Sequence, residues 1–217
     1  MIKKIKNFFK KKQEKIDFGY KDEIDILLKY NFNSHCKECI FAEDCKKTKD
    51  GHFCDRFSAD IDPNKKTFLI IDDNKGINLI IKELIYELEE EGKIDLSNWN
   101  IIDFYSKQAI LFLMSDTIKG KIPNIDAAFL DVTFGSIVKV KDRKIKLNGL
   151  HLAIFLYERF KTKIRFYTGN NLNSYIKDHK MKQVCFNNIF GDDIEKYIIK
   201  KDTSDDDLKV ILMELLK

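Results

Sequence analysis

The stretch Phe68-Leu69-Ile70-Ile71-Asp72-Asp73-Asn74 constrains this chain more than any other, because an unbroken apolar run leads straight into two adjacent carboxylates. A short run of this kind suits a strand buried on both faces, as in a parallel sheet. Acids at its carboxyl end then stand where open α/β sheets bind ligands, in the crevice beyond the strand ends. Adjacent like charges repel each other, and a cation relieves them. A hard cation such as Mg²⁺ is the natural partner, since it prefers carboxylate and water oxygens. By itself the dipeptide is also what an ordinary strand-to-loop transition ahead of a helix would show. The rest of the chain decides between the two.

Residues 58–66 are polar, contain Pro63 and read as a linker. After them, long apolar runs alternate with helical patterns, the mark of repeated βα units. The first strand spans 68–71, and Ile77, Ile80, Ile81, Leu84, Ile85 and Leu88 give a helical stripe ending near Gly92. Residues 100–104 read as a second strand and 109–118 as a second helix, stopped by Gly120 and Pro123. The third strand, 127–130, again has an aspartate, Asp131, at its carboxyl end. Asn148-Gly149 lead into a third helix over 150–160, and the fourth strand, 164–167, ends in Thr168-Gly169-Asn170. A polar helical segment follows from about Leu172. The fifth strand, 197–199, ends in Lys200, and Leu208, Ile211, Leu212 and Leu215 define a last helix capped by Ser204 or Asp205. Right-handed crossovers would bring Asp72, Asp73, Asp131, Thr168 and Lys200 to one edge of the sheet.

In order, residue type and strand position, these pieces resemble the receiver domain, the phosphoacceptor module of two-component response regulators, over about residues 67–217. Ile70-Ile71-Asp72-Asp73 is similar to its acidic pair, Phe129-Leu130-Asp131 to its phosphoacceptor strand, and Asn148-Gly149-Leu150 to the start of its third helix. Tyr167-Thr168-Gly169 is similar to its hydroxyl strand and Tyr197-Ile198-Ile199-Lys200 to its lysine strand. The resemblance implies an α/β, flavodoxin-like fold: a five-stranded parallel sheet of order 2-1-3-4-5 flanked by helices. It also implies that Asp131 accepts a phosphoryl group from a sensor histidine kinase, a phosphotransfer protein or a small acyl phosphate. Asp72, Asp73, Asp131 and the Thr133 carbonyl would hold Mg²⁺. Lys200 and Thr168 would attend the phosphoryl oxygens, and Tyr197 would be the aromatic that changes rotamer with the hydroxyl. Such a chain is a phosphoacceptor rather than an enzyme. These residue types suit phosphoryl transfer, since a carboxylate can attack phosphorus, and an anion attacking an anion needs charge compensation and positioning.

The sequence departs from that family in two insertions, at about 132–147 and 178–194. In the first, Val138, Val140 and Ile145 flank Asp142-Arg143 in a hairpin-like pattern, and the second includes Cys185. Lys201 stands where the family has a proline after its lysine. An alternative register would put Asn187 at the lysine position, but the capped helix directly beyond Tyr197-Ile198-Ile199-Lys200 favours Lys200.

Residues 1–31 read as two helices. Ile2, Ile5, Phe8 and Phe9 share one face of the first, with lysines over the rest. That face suits a membrane surface or a docking partner, or packing on the chain's own domain. Ile24, Ile26, Leu27 and Leu28 mark the second. In 32–57, Cys36, Cys39, Cys45 and Cys54 cluster among polar residues, with too few apolar ones to form a core. Four thiolates satisfy tetrahedral Zn²⁺ or a [4Fe-4S] cluster. The Cys36–Cys45 stretch, with Phe41 after the Cys36–Cys39 knuckle, resembles the cluster-binding segments of some iron–sulfur proteins. His35, beside Cys36, and His52, ahead of Cys54, are possible substitutes for a cysteine, and a disulfide is the remaining option.

The 217 residues suit one or two domains, and 44% hydrophobic content is enough for a core. A net charge of +4 is too weak to imply a nucleic-acid binder. No run of about 18 apolar residues could span a membrane. The chain begins without the apolar core of a signal peptide, so a cytoplasmic location is expected, where cysteines favour metal or redox chemistry. No output motif follows the last helix, so output is expected through the N-terminal residues, the insertions or a separate protein partner. Three readings compete: a phosphorylation-switched signalling protein, a receiver-like scaffold that binds a partner without phosphorylation, and a nucleic-acid binder acting through the lysine-rich helix and the cysteine segment.

Overall fold

The computed structural model describes residues 61–104, 124–133, 136–140, 143–169, 190–191 and 194–217, and of 136–140, 143–147 and Ile194 the backbone alone. The helices expected at 1–31 and 109–118, the four cysteines, the segment from Leu172, Cys185 and Asn187 lie outside these residues. The strands are β1 (Lys66–Ile71), β2 (Trp99–Phe104), β3 (Ala127–Leu130), β4 (Ser136–Val140), β5 (Arg143–Leu147), β6 (Lys163–Thr168) and β7 (Ile198–Lys200). The helices are α1 (Lys75–Glu90), α2 (Gly149–Phe160) and α3 (Asp205–Leu215), and a 3₁₀ turn, Ile194–Tyr197, precedes β7.

Five strands form one sheet in the order β2-β1-β3-β6-β7, every pair parallel. This is the expected 2-1-3-4-5 topology, with the chain reversing direction across the sheet at β1 and β3, the switch point where open α/β sheets form a crevice. Side chains alternate across the strands. Phe68, Ile70, Ala127, Phe129, Tyr167 and Ile199 pack with Ile81, Ile85 and Leu88 of α1 and Leu208, Leu212 and Leu215 of α3. Leu69, Ile71, Ala128 and Leu130 therefore belong to the opposite face and are equally buried. Burial on both sides is why the central strands read as continuous apolar runs rather than as an alternating pattern.

Strand boundaries differ in places from the sequence reading. β1 starts at Lys66, because pairing with Trp99 extends the ladder into what reads as linker. The stretch between Asp131 and α2 forms an antiparallel hairpin, β4 with β5, in keeping with the hairpin-like pattern about Asp142-Arg143. At the far edge, Tyr197 closes a 3₁₀ turn and the strand runs 198–200, one residue later than expected. Lys200 thus lies inside the strand, paired with Thr168, and Lys201 is the first residue beyond it.

Helix entries bring polar groups to the carboxyl edge. Asn74 caps α1 by accepting from Gly76 N. Asn78, buried one turn into α1, donates to the Phe104 carbonyl at 2.9 Å and ties that helix to the end of β2. Asn148 caps α2, and Ser204 caps α3 by accepting from Asp207 N.

Candidate functional site

Asp72 follows β1 and Asp131 follows β3, and both are 2% exposed. The ladder brings them together: Asp131 N donates to the Ile71 carbonyl at 2.7 Å. Asp73 is exposed, and one carboxylate oxygen from each of the three aspartates lies within 4.8 Å of the others.

Each buried carboxylate is held locally. Asp72 Oδ1 accepts from Asn74 N at 2.8 Å. Asp131 Oδ1 accepts from Val132 N at 2.8 Å, and its Oδ2 accepts from the Thr133 hydroxyl at 3.1 Å. Thr133 is thus next to the acids, with its hydroxyl on Asp131.

The cation among these acids is Lys201 and not Lys200. Its Nζ lies 2.7 Å from Asp72 Oδ2 and 3.6 Å from Asp131 Oδ1. The buried Asp72 Oδ2 thus has the Lys201 ammonium as its close contact. Lys200 is exposed. The one-residue shift of β7 is the physical reason for the correction. A Lys-Lys doublet offers no composition signal for choosing between the two; only the pairing of Tyr167 with Ile199 and Thr168 with Lys200 decides.

Electrostatics follow from this geometry. Burial raises the Asp72 pKa, and the charge of Asp131 adds to it, against the opposing pull of Lys201 and the Asn74 amide. For Lys201, burial alone would lower the pKa, but the Asp72 contact and the charges of Asp131 and Asp73 outweigh it and the net direction is up. The ammonium therefore stays charged.

Thr168 is buried at the end of β6. Tyr197 packs elsewhere, in an aromatic cluster: its ring centroid is 5.0 Å from Phe190, and the Arg165 guanidinium lies 5.3 Å over its face. The aromatic that reaches the lysine is Tyr167, which in the sequence stands out only as part of the hydroxyl strand. Its hydroxyl donates to the Lys201 carbonyl at 3.3 Å.

The start of α2 abuts Asp131. Asn148 Oδ1 accepts from Leu150 N and His151 N and lies 2.9 Å from His151 Nδ1. Gly149 N donates to the Val132 carbonyl at 3.1 Å. A Cβ on Gly149 would sit 2.0 Å from the Asp131 carbonyl oxygen, so only glycine permits this approach. The β4–β5 hairpin leaves the sheet between Asp131 and this helix start.

The donor set suits a hard divalent cation. Three carboxylates converge, two of them buried, which is the chemistry Mg²⁺ prefers.

No protein-family model matches the sequence, and no curated protein matches it. Among solved structures, a response regulator from Thermotoga maritima is similar at 20% identity and TM-score 0.40, covering 70% of this chain and 98% of that one. A CheY-like response regulator receiver domain protein from Methanospirillum hungatei gives 22% identity and TM-score 0.42 over 70% and 94% of the two chains. A response regulator receiver domain protein from Clostridium thermocellum gives 17% identity and TM-score 0.41 over the same shares. At these identities and scores the likeness adds nothing to what the strand order and the acidic cluster already say.

Proposed function

We propose that this chain is a receiver-type phosphoacceptor that takes a phosphoryl group on Asp131. The observation that carries the reading is the convergence of Asp72, Asp73, Asp131 and Lys201 at the carboxyl edge of a 2-1-3-4-5 parallel sheet. A carboxylate oxygen of Asp131 forms the new O–P bond as the donor's P–N or P–O bond breaks. The imidazole or carboxylate of the donor leaves with the electron pair. Lys201 faces the developing negative charge, and Thr168, at the end of the neighbouring strand, supplies a hydroxyl. Asp72, Asp73 and Asp131, with the Thr133 carbonyl as a further ligand, would hold Mg²⁺, which supplies neutralising charge for the phosphoryl oxygens. Donors in this reading are a sensor histidine kinase, a phosphotransfer protein or a small acyl phosphate, and the phosphorylated state switches binding to an output protein. The cysteine segment belongs to the same proposal as a Zn²⁺ or [4Fe-4S] centre. Elemental analysis and visible absorption of anaerobically prepared protein distinguish the two.

The test is intact-mass analysis after incubation with acetyl phosphate. One phosphoryl adduct is expected, dependent on Mg²⁺ and lost in Asp131→Asn. An adduct that persists in that variant sinks the assignment. A wild type that never labels and never binds beryllofluoride supports instead a receiver-like scaffold.

A further inference from the structure

The lysine of the acidic cluster is held by an aromatic residue from the neighbouring strand. Tyr167 lies one residue before the end of β6, pairs with Ile199 of β7 and is buried. Its ring is fixed on one side by Phe129 at 5.2 Å between centroids. Its hydroxyl reaches past Ile199 to the Lys201 carbonyl at 3.3 Å, and the Lys201 ammonium lies 6.0 Å from its ring centroid. One rigid side chain therefore touches both ends of the lysine: the backbone where it leaves the strand, and the charged head over an aromatic face. Burial raises the Tyr167 pKa, so the phenol remains a hydrogen-bond donor.

A flexible four-carbon side chain that leaves the edge of a sheet has many rotamers, and holding it over two buried carboxylates costs conformational entropy. We infer that Tyr167 is a positioning residue for Lys201, clamping its backbone and lying beside its head so that the ammonium stays over Asp72 and Asp131. Tyr167 touches neither carboxylate in hydrogen-bonding geometry among the described contacts, so its effect passes through the lysine. Because Phe129 precedes Leu130 and Asp131 on β3, the same ring also braces the lysine against the strand that carries the phosphoacceptor. The kinetic consequence rests on the phosphoacceptor reading; the clamp itself does not.

Two measurements on the full chain test it. The first needs no phosphorylation. Pulse acetylation with acetic anhydride, resolved by peptide mass spectrometry, compares Lys201 and Lys209 in wild type and Tyr167→Phe. Lys201 is expected to react at least about threefold faster in the variant, as the loss of one hydrogen bond frees it, while Lys209 is unchanged. Equal Lys201 reactivity, or a parallel rise at both lysines, overturns the clamp. The second is a double-mutant cycle on acetyl phosphate labelling. Tyr167→Phe is expected to lower the maximal rate about fivefold with the half-saturating concentration unchanged, and to have no effect in a Lys201→Met background. An undiminished effect in that background would mean that Tyr167 acts on the fold and not on the lysine. If wild type fails to label, the phosphoacceptor reading falls and the acetylation result still decides the clamp.

Discussion

Among the described residues, two clusters set one lysine against more than one carboxylate, and water separates their behaviour. On the seam between α1 and α3, Lys209 lies 2.8 Å from Glu87 Oε2 and 2.9 Å from Glu91 Oε1, and Lys93 lies 2.6 Å from Glu91 Oε2. Both glutamates are open to solvent, at 53% and 40% exposure. There the Lys93 and Lys209 contacts win, and the Glu91 pKa falls to about 2. At the sheet edge Lys201 makes an equally short contact with Asp72, yet burial wins and the Asp72 pKa rises. One cluster is ordinary surface pairing, whose stabilisation is small and screened by salt. The other retains buried charge at a cost to the fold, the usual mark of a site.

The largest expected effect breaks the frame of the buried cluster. Gly149→Ala forces a Cβ to 2.0 Å from the Asp131 carbonyl oxygen, where backbone must move. A loss of about 3 kcal/mol or more is expected, read from urea unfolding. A midpoint close to wild type would mean that α2 is free to back away from Asp131.

Next comes the direct comparison of the two lysines. Lys201→Met removes the ammonium that lies against Asp72 and Asp131 and should cost about 2 kcal/mol. This is below the full cost of breaking a buried pair because the lysine side chain is 28% exposed. Added Mg²⁺ should recover part of the loss. Lys209→Met should leave the unfolding midpoint nearly unchanged, because its glutamate partners stay hydrated although the lysine side chain is only 16% exposed, and equal losses at the two positions would erase the distinction between the clusters.

A smaller effect has the opposite sign. A raised folded pKa means that the native state binds the Asp72 proton more tightly than the unfolded chain does. The stability linked to that proton is present at low pH and lost as pH rises through the raised value. Asp72→Asn should therefore raise the urea midpoint at neutral pH, with the gain shrinking toward acid. In the proposed function the same change removes Mg²⁺-dependent labelling. Stabilisation together with loss of labelling is the stability–activity trade expected of a site.

The smallest effect belongs to Glu91→Gln. A lowered folded pKa places the Glu91 contribution above its ordinary value of 4.5 and removes it as pH falls toward about 2. Thermal midpoints of variant and wild type should converge over that range, and also at about 1 M salt, where the Debye length is about 3 Å. A difference that persists in salt would show that the exposed cluster is stronger than its setting implies.

What the sequence determined by itself is the parallel sheet and its acidic edge. Continuous apolar runs such as Phe68–Ile71 report burial on both faces, and an aspartate directly after such a run is carried to the crevice by chain direction alone. The Asn148-Gly149 pair was legible as the start of a helix, though not the reason for the glycine, which is the approach of α2 to the backbone of a distant strand. The lysine was not legible. Lys200 and Lys201 are chemically identical neighbours, and a one-residue slip of a strand exchanges the faces of its side chains. Pairing of β7 against β6 settles that slip, and the reach of the Tyr167 hydroxyl to Lys201 exists only once the pairing is made. Local sequence carries polarity and periodicity, so it can place an acid at a strand end. Which of two equal cations meets that acid depends on register between strands about thirty residues apart, and only the packed sheet fixes it.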